Sequence, residues 1–234
     1  MTRDRFADIA PGLLQPDWDL PAGAGALLTT RAGGQSTGPF ASFNLGGHVG
    51  DDPAAVAANR ARLRGFLPAD PLWLNQVHGA AVAEADLSEG VPEADAVLAR
   101  SSGRVCAVLT ADCLPVLLCD DDASVVAAAH AGWRGLAAGV LENTVRQMGV
   151  PPHRVRAWLG PTLAAERTET WLTLTDGWSL GLASISRAAR ERADRAMAYL
   201  EKIQNKSGGF NGSYGEGAKY ISGAEIEVNG AQHV

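Results

Sequence analysis

Short runs of apolar residues, bounded by glycine, proline, aspartate or serine, recur between residues 26 and 159 of the chain. Runs of this kind are typical of buried strands, whose two faces are both covered. On this pattern we predict strands over six segments, namely 26–29, 72–77, 105–109, 115–119, 125–129 and 155–159.

A different spacing, with apolar residues three or four positions apart, predicts three helices. The first begins at an Asp-Pro pair, which supplies an N-cap and a first helical residue, and covers about 53–64. The second covers 135–148 and is expected to end at Gly149. The third covers about 186–203 and has a narrow apolar seam of alanine, leucine and isoleucine.

Helices and strands in this mixture predict the α/β class, with mixed sheets flanked by helices in the α+β manner. The predicted strands come in neighbouring pairs, which favours a mixed sheet over a doubly wound parallel one. We place a domain boundary after residue 162. Residues 1–162 carry the motifs described below, and residues 163–234 form an atypical C-terminal segment.

The composition of the C-terminal segment sets it apart. All 17 arginines lie at or before Arg195, all three lysines lie after residue 200, and a glycine-rich stretch covers 207–217. One interpretation is a flexible tail with a composition of its own. The other is a segment of foreign origin, or one that has diverged. The sequence leaves both open.

Composition narrows the classes of function. The chain has 234 residues, 46% of them hydrophobic, and a formal net charge of −6. Such an acidic protein is not expected to bind nucleic acid or an anionic membrane, because both are polyanions. No apolar stretch reaches the roughly 18 residues of a membrane span. Charged residues stand where a signal peptide would have its apolar core, so we expect a cytoplasmic protein.

Three residues with metal-ligand chemistry stand where apolar runs end: His78 in NQVHG, Cys113 in TADCLP and His130 in HAGWRG. Strand ends followed by loops can meet around a cleft. Two imidazoles and a thiolate form a zinc set with a fourth position for water or substrate, although the spacing matches no zinc finger. The same residues also suit a nucleophile and base built on Cys113, or ordinary core residues. The residues alone do not separate these alternatives.

Several segments together resemble one known family. The segments TTRAGG, SFNLG and VGDDP, the three segments above and LGP follow one another between residue 26 and about residue 162. In this order they are similar to the motifs of the YfiH-type family, whose members are described as multicopper polyphenol oxidases or laccase-domain proteins. After residue 162 the closing motifs of that family are missing.

The resemblance implies a mixed α/β fold akin to the cytotoxic-necrotising-factor type of cysteine hydrolase. It implies that His78, Cys113 and His130 are both the metal ligands and the catalytic centre, with zinc as the metal and copper as the alternative. It further implies a purine nucleoside phosphorylase that cleaves adenosine, inosine or methylthioadenosine with phosphate and also deaminates adenosine. Other members are described as phenol oxidases or as editors of peptidoglycan precursors.

Around this centre we predict four residues that bind substrate or support its binding. Arg31 and Arg134 would grip phosphate, since a guanidinium can hold an anion through two N–H donors. Asn44 would place the nucleoside, and Asp112 would support the metal site from outside the ligand set. The alternatives are an Asx turn at Asn44, a local cap at Arg134 and an ordinary turn residue at Asp112.

We therefore predict an enzyme, a zinc-dependent purine nucleoside phosphorylase, that acts on small molecules as a monomer or homodimer. Five histidines without a His-x-His pair are too few for the several coppers of a laccase, which leaves single-copper phenol oxidation as the first rival. The deaminase signature, His-x-Glu with Cys-x-x-Cys, is absent. A cysteine hydrolase with Cys113 as nucleophile and a non-catalytic metal-binding remnant are further alternatives.

Overall fold

The computed structural model describes residues 6–161 of the chain. The helix predicted over about 186–203, and the segment 163–234 as a whole, lie outside these residues. Within them the chain forms ten strands and three α-helices. In chain order these are β1 (Phe6–Ala10), β2 (Leu13–Pro16), β3 (Leu28–Thr29), α1 (Pro53–Arg64), β4 (Pro71–Leu72), β5 (Val82–Glu84), β6 (Ala96–Ala99), β7 (Val105–Cys106), β8 (Leu114–Asp120), β9 (Val126–Ala131), α2 (Trp133–Ala138), α3 (Val140–Met148) and β10 (Val155–Leu159).

The central sheet has five strands in the order β10-β8-β9-β6-β5. β8 and β9 form an antiparallel hairpin, β10 and β6 flank it in antiparallel pairing, and β5 runs parallel to β6. A three-stranded sheet, β1-β2-β3, and the parallel pair β4-β7 accompany it. Mixed sheets together with helices confirm the predicted α/β class of the α+β kind.

Helix α3 packs its apolar stripe against β5, β6 and β9. Four of its side chains are buried in the largest core cluster, namely Val140, Leu141, Val145 and Met148. A helix of nine residues is only marginally stable alone, so the burial of this stripe stabilises it.

None of the helices within residues 6–161 combines the length and the apolar character of a membrane span.

The first two helix predictions fare differently. The prediction of α1 is confirmed, with Asp52 accepting a hydrogen bond from the Ala54 N–H at 2.9 Å as its N-cap. The prediction of one helix over 135–148 is wrong, because α2 and α3 are separated at Gly139. This residue has φ +90°, a left-handed conformation that interrupts a helix and that glycine adopts without a steric penalty. The predicted end at Gly149 is confirmed, with φ +66°.

The strand predictions are most accurate in the central sheet. Those over 115–119, 125–129 and 155–159 correspond to β8, β9 and β10, with each end correct to within two residues. Those over 26–29 and 105–109 are confirmed only at β3 and β7. The hydrophobic pattern did not indicate β1, β2, β5 or β6.

The strand predicted over 72–77 is wrong beyond β4, because polar groups in this segment are bonded outside a strand ladder. The carboxamide of Gln76 donates to the carbonyl oxygen of Leu109 and accepts from its N–H, both at 2.8 Å. Asn75 pairs with Glu93 only in an isolated parallel bridge, in which the Asn75 N–H donates to the carbonyl oxygen of Pro92 at 2.9 Å. A side-chain amide that bonds the backbone in this way competes with regular strand pairing.

Candidate metal centre

The hairpin of β8 and β9 places Cys113 beside His130. Its register pairs Leu114 with Ala131 and Pro115 with His130. Cys113, the residue before β8, therefore lies next to the end of β9. A short loop joins the two strands, and both are largely buried along their length. The hairpin therefore holds Cys113 and His130 in fixed positions relative to each other.

His78 reaches the same place from the loop before β5. Its Nε2 lies 3.8 Å from the Sγ of Cys113, and its ring meets that of His130 edge to face with the centroids 4.7 Å apart. One ligand atom from each of these three residues lies within 4.8 Å of the others. His130 is buried, Cys113 is half-buried and His78 is exposed, so the cluster is open to solvent at His78.

A buried carboxylate that the sequence analysis missed joins two members of the cluster. Asp95 has no exposed surface and accepts a hydrogen bond from His130 Nδ1 at 2.9 Å. It also accepts three backbone N–H groups, at 3.2, 2.9 and 2.6 Å, from Val77, His78 and Gly79. Because Nδ1 of His130 is bonded to a carboxylate, Nε2 is the nitrogen left for a metal. The available sequence signal was an aspartate directly before the apolar run that forms β6.

The turn that presents His78 has an unusual backbone. His78 has φ +59°, in the left-handed region that residues with a Cβ enter at a cost of about 1–2 kcal/mol. Three successive N–H groups on one carboxylate form an anion-binding concavity. The bonds to Asp95 therefore offset the cost of this conformation.

The surroundings of Cys113 disfavour its thiolate in the absence of a cation. Burial, followed by the carboxylates of Asp112 and Asp95, raises the pKa of Cys113 to about 12. Burial also lowers the pKa of His130, against the opposing effect of its bond to Asp95. At neutral pH the pair is therefore a thiol and a neutral imidazole. A bound divalent cation would displace the thiol proton.

Gly132 leaves the space that the cluster needs. A Cβ at this position would lie 2.8 Å from the Sγ of Cys113 and 3.0 Å from Cδ2 of His78. Its φ of −65° and ψ of 157° are open to any residue. The site therefore requires glycine here for space and not for backbone conformation.

Two of the four predicted substrate residues lie next to the cluster along the chain. Asp112 is exposed and accepts a hydrogen bond from the thiol of Cys113. Arg134 is exposed in the first turn of α2, with its Cζ 5.2 Å from the ring centroid of Trp133. Within the described part of the chain its guanidinium makes no hydrogen bond or ion pair, so it is available to an anion.

The other two, Arg31 and Asn44, are bonded into a separate loop. Arg31 donates to the carbonyl oxygen of Ala41 from Nε at 3.0 Å and from a terminal nitrogen at 2.8 Å. Asn44, 3% exposed, accepts from the Gly46 N–H and donates to Asp51 Oδ2, both at 2.9 Å. The first of these bonds is the Asx turn considered for Asn44. A contact of either residue with substrate stays a prediction.

Asn59 of α1, which the sequence analysis also missed, holds this loop through side-chain hydrogen bonds. It is fully buried, accepts from the Gln35 N–H at 2.7 Å, and donates to Ser36 Oγ at 2.9 Å and to the carbonyl oxygen of Asn44 at 2.8 Å. Ser36 in turn donates to Asp51 at 2.6 Å. We call Ser36, Asn44, Asp51 and Asn59 the loop network.

Comparison with known proteins decides the family. The sequence model of the family described as multi-copper polyphenol oxidoreductase laccase matches residues 25–204. The chain belongs to this family. The matched range extends beyond residue 162, so part of the segment that the sequence analysis set apart falls within it.

Curated relatives connect this family to the YfiH name. A purine nucleoside phosphorylase of Pseudomonas aeruginosa is 54% identical over 156 residues, which cover 67% of this chain and 64% of that protein. Purine nucleoside phosphorylase YfiH of Escherichia coli is 44% identical over 197 residues, which cover 82% of this chain and 80% of that protein. The chain thus spans less than two thirds of the Pseudomonas protein.

Solved structures of the family share the fold. The Neisseria meningitidis protein NMB0706 matches with a TM-score of 0.64 and 40% identity, over 79% of this chain and 84% of that one. YlmD from Geobacillus stearothermophilus matches with a TM-score of 0.62 and 36% identity, over 68% of this chain and 65% of that one.

Proposed function

We propose that this chain is a zinc-dependent purine nucleoside phosphorylase. The observation that carries the proposal is the convergence of His78, Cys113 and His130, whose ligand atoms lie within 4.8 Å of one another. Curated relatives of the chain are named for this activity. Two imidazoles and a thiolate are a ligand set of catalytic zinc that leaves a fourth position for water or substrate.

His78, Cys113 and His130 would hold the zinc ion. Bound zinc supplies Lewis-acid chemistry, which orients and polarises an oxygen atom. The bond from His130 Nδ1 to Asp95 leaves Nε2 as the free ring nitrogen, and Gly132 keeps the space beside the thiol clear. Because His78 is exposed, a nucleoside can approach the centre from its side.

Arg134 is the residue that we propose for phosphate binding. It follows Gly132 by two residues, is exposed, and has no competing anionic partner within residues 6–161. A guanidinium matches phosphate through two parallel N–H donors. The predicted contacts of Arg31 with phosphate and of Asn44 with the nucleoside remain part of the proposal. The bonds described above order the loop that carries both residues.

In phosphorolysis an oxygen of hydrogen phosphate forms a bond to the ribose C1′ while the bond from C1′ to the base nitrogen breaks. The electron pair of the broken bond leaves with the base, and the proton of hydrogen phosphate ends on the base nitrogen. The products are the free base and ribose 1-phosphate. Arg134 would hold the phosphate in position for this attack, and positioning by itself lowers the barrier.

A nucleoside cleavage assay on the zinc-loaded full chain tests the proposal. Inosine or adenosine with phosphate should yield free base and ribose 1-phosphate. Arg134→Ala should raise the KM for phosphate by about tenfold or more, since it removes a charged donor pair. Arg146→Ala is the matched control, because Arg146 is an exposed arginine of α3 that bonds to Asn143.

Each other outcome of that assay has a defined meaning. Base release that is equally fast without phosphate would show hydrolysis and contradict phosphorolysis. Formation of inosine from adenosine would add deamination to the activity. Zinc binding without turnover of any nucleoside would support the non-catalytic alternative.

A second candidate is a single-copper phenol oxidase. The description of the family and the His₂Cys ligand set, which also suits copper, favour it. The test compares two turnover rates, that of oxygen uptake with a phenol by the copper-loaded chain and that of nucleoside cleavage by the zinc-loaded chain. A faster oxygen uptake would establish the oxidase activity instead. A cysteine hydrolase is less well supported, because a thiol with a pKa of about 12 is a poor nucleophile at neutral pH.

A further inference from the structure

Asp95 contacts two of the three proposed metal ligands at once. Its Oδ1 accepts from His130 Nδ1 and from the backbone N–H of His78, both at 2.9 Å. Its Oδ2 accepts from the N–H of Gly79 at 2.6 Å and of Val77 at 3.2 Å. The side chain has no exposed surface, so water does not compete for these bonds.

The backbone of Asp95 is held as firmly as its side chain. Its N–H donates to the carbonyl oxygen of Ala81 at 3.1 Å, and its carbonyl oxygen accepts from the N–H of His130 at 2.7 Å. The carboxylate is therefore a fixed point between β9, which carries His130, and the turn that carries His78. Both ligands take their position from it.

We propose that Asp95 is the positioning residue of the metal centre. Through one carboxylate it fixes His130 in the tautomer with the proton on Nδ1 and holds the turn at 77–79 in the conformation that presents His78. This inference rests on the metal site described under the proposed function, and it adds a residue that neither touches the metal nor belongs to a family motif quoted above.

The groups that face the side chain of Asp95 require a carboxylate and not its amide. All four are hydrogen-bond donors, and an asparagine at this position would bring an NH₂ group against two of them. If the NH₂ faces Val77 and Gly79, the turn loses two of its three bonds to residue 95 and keeps only that from the His78 N–H. If it faces His130, the imidazole keeps a bond only by accepting at Nδ1, and its proton moves to Nε2, the nitrogen proposed for the metal.

Zinc affinity, measured by competition with a chelator on the full chain, tests the inference. Asp95→Asn should weaken zinc binding by about 100-fold, the upper end of the range for residues that orient a ligand, because two ligands are affected. Asp120→Asn is the control. Asp120 is also a buried carboxylate and accepts from the Val125 N–H at 3.0 Å and from Ser124 Oγ at 2.7 Å, but it lies at the other end of β8. It should change zinc affinity by less than about threefold, because it touches no proposed ligand.

A second measurement needs no bound metal and does not depend on whether Asp95→Asn folds. Nitrogen-15 NMR of the metal-free wild-type chain reports which nitrogen of His130 carries the proton, with the signal assigned by its loss in His130→Gln. We expect a protonated Nδ1 and an unprotonated Nε2. A proton on Nε2 would overturn the inference, whatever the variants show.

The outcomes separate the two proposals. Wild-type chain that binds no zinc would contradict the proposed function, and the tautomer of His130 would then decide the inference. Wild-type chain that binds zinc while Asp95→Asn binds it equally well would overturn the positioning role and leave the proposed function standing.

Discussion

The candidate metal centre and the loop network both include residues from the sequence motifs, but the two regions use their polar atoms differently. In the loop network, Asn44 and Asp51 bond each other, and Asn59 bonds the loop backbone. In the metal centre, three ligand atoms from distant segments gather within 4.8 Å. Saturated internal bonding is what a structural role requires, whereas converging ligand atoms are what a cation requires.

The largest expected effect on zinc affinity comes from replacing the sulfur atom of Cys113, which lies in the metal centre and not in the loop network. Cys113→Ser should lower zinc affinity by about 100-fold or more, because a serine hydroxyl does not ionise readily enough to replace a thiolate ligand. The metal-free protein should melt at nearly the wild-type temperature, because Cys113 lies before β8 and is only half-buried. Chelator competition and calorimetry measure the two quantities.

Cys106→Ser is the matched control for this variant. Cys106 is also a half-buried cysteine at a strand, and its Sγ faces the carbonyl oxygen of Val126 at 3.7 Å. It should keep zinc. Equal loss of zinc in both variants would contradict the assignment of Cys113 as the ligand.

A smaller effect on zinc affinity is expected when all three ligands are kept and only the open space beside them is filled. Gly132→Ala adds a Cβ that would lie 2.8 Å from Cys113 Sγ, so the ligands must shift, and zinc affinity should fall by about tenfold. Gly25→Ala, where a Cβ meets nothing within 4 Å, is the control and should leave zinc affinity unchanged. Wild-type affinity in Gly132→Ala would show that the cluster rearranges when it binds metal.

The metal centre also shows which site residues can be predicted from the sequence and which cannot. His78, Cys113 and His130 could be predicted because metal-ligand types stand where apolar runs end. Asp95 could not, because a lone aspartate before a short apolar run is indistinguishable from a turn residue. Its role depends on partners that are 16 to 18 and 35 residues away along the chain.

The same limit applies to the fold. Runs of apolar residues predicted β8, β9 and β10, which are seven, six and five residues long. The run that forms β6 was missed although all four of its residues are buried, because so short a run has little pattern. The break at Gly139 was missed because the apolar stripe continues across it, and only its φ of +90° separates α2 from α3. The bonds of Gln76 to Leu109, between segments far apart in the chain, likewise have no local signal.

The third prediction concerns the loop network alone. Asn59→Ala removes the partner of the Gln35 N–H and of the Asn44 carbonyl oxygen inside the protein, which should cost about 2–3 kcal/mol of unfolding free energy. The Tm should fall by roughly 4–12 °C, and zinc affinity should not change. A loss of zinc equal to that of Cys113→Ser would show that the two regions are not independent.

The smallest effect is a dependence on pH. Burial opposes the ionisation of Asp51, but hydrogen bonds from Ser36 and Asn44 outweigh it and hold its pKa below the usual 3.8. The folded state therefore gains stability from Asp51 above about pH 3.8 and loses it as the pH falls through the lowered pKa. Ser36→Ala should destabilise the metal-free protein at pH 7 by more than it does near pH 2–3. A penalty that is equal at both pH values would show that the bond to Ser36 does not favour the charged carboxylate.

X-ray absorption at the zinc edge of the zinc-loaded full chain tests the central claim most directly, because it counts the ligand atoms. We predict one sulfur at about 2.3 Å and two imidazole nitrogens at about 2.0–2.1 Å for each zinc ion. Cys113→Ser should lose the sulfur signal. A zinc environment of nitrogen and oxygen alone in the wild-type chain, or one with two or more sulfurs, would contradict a centre built from His78, Cys113 and His130.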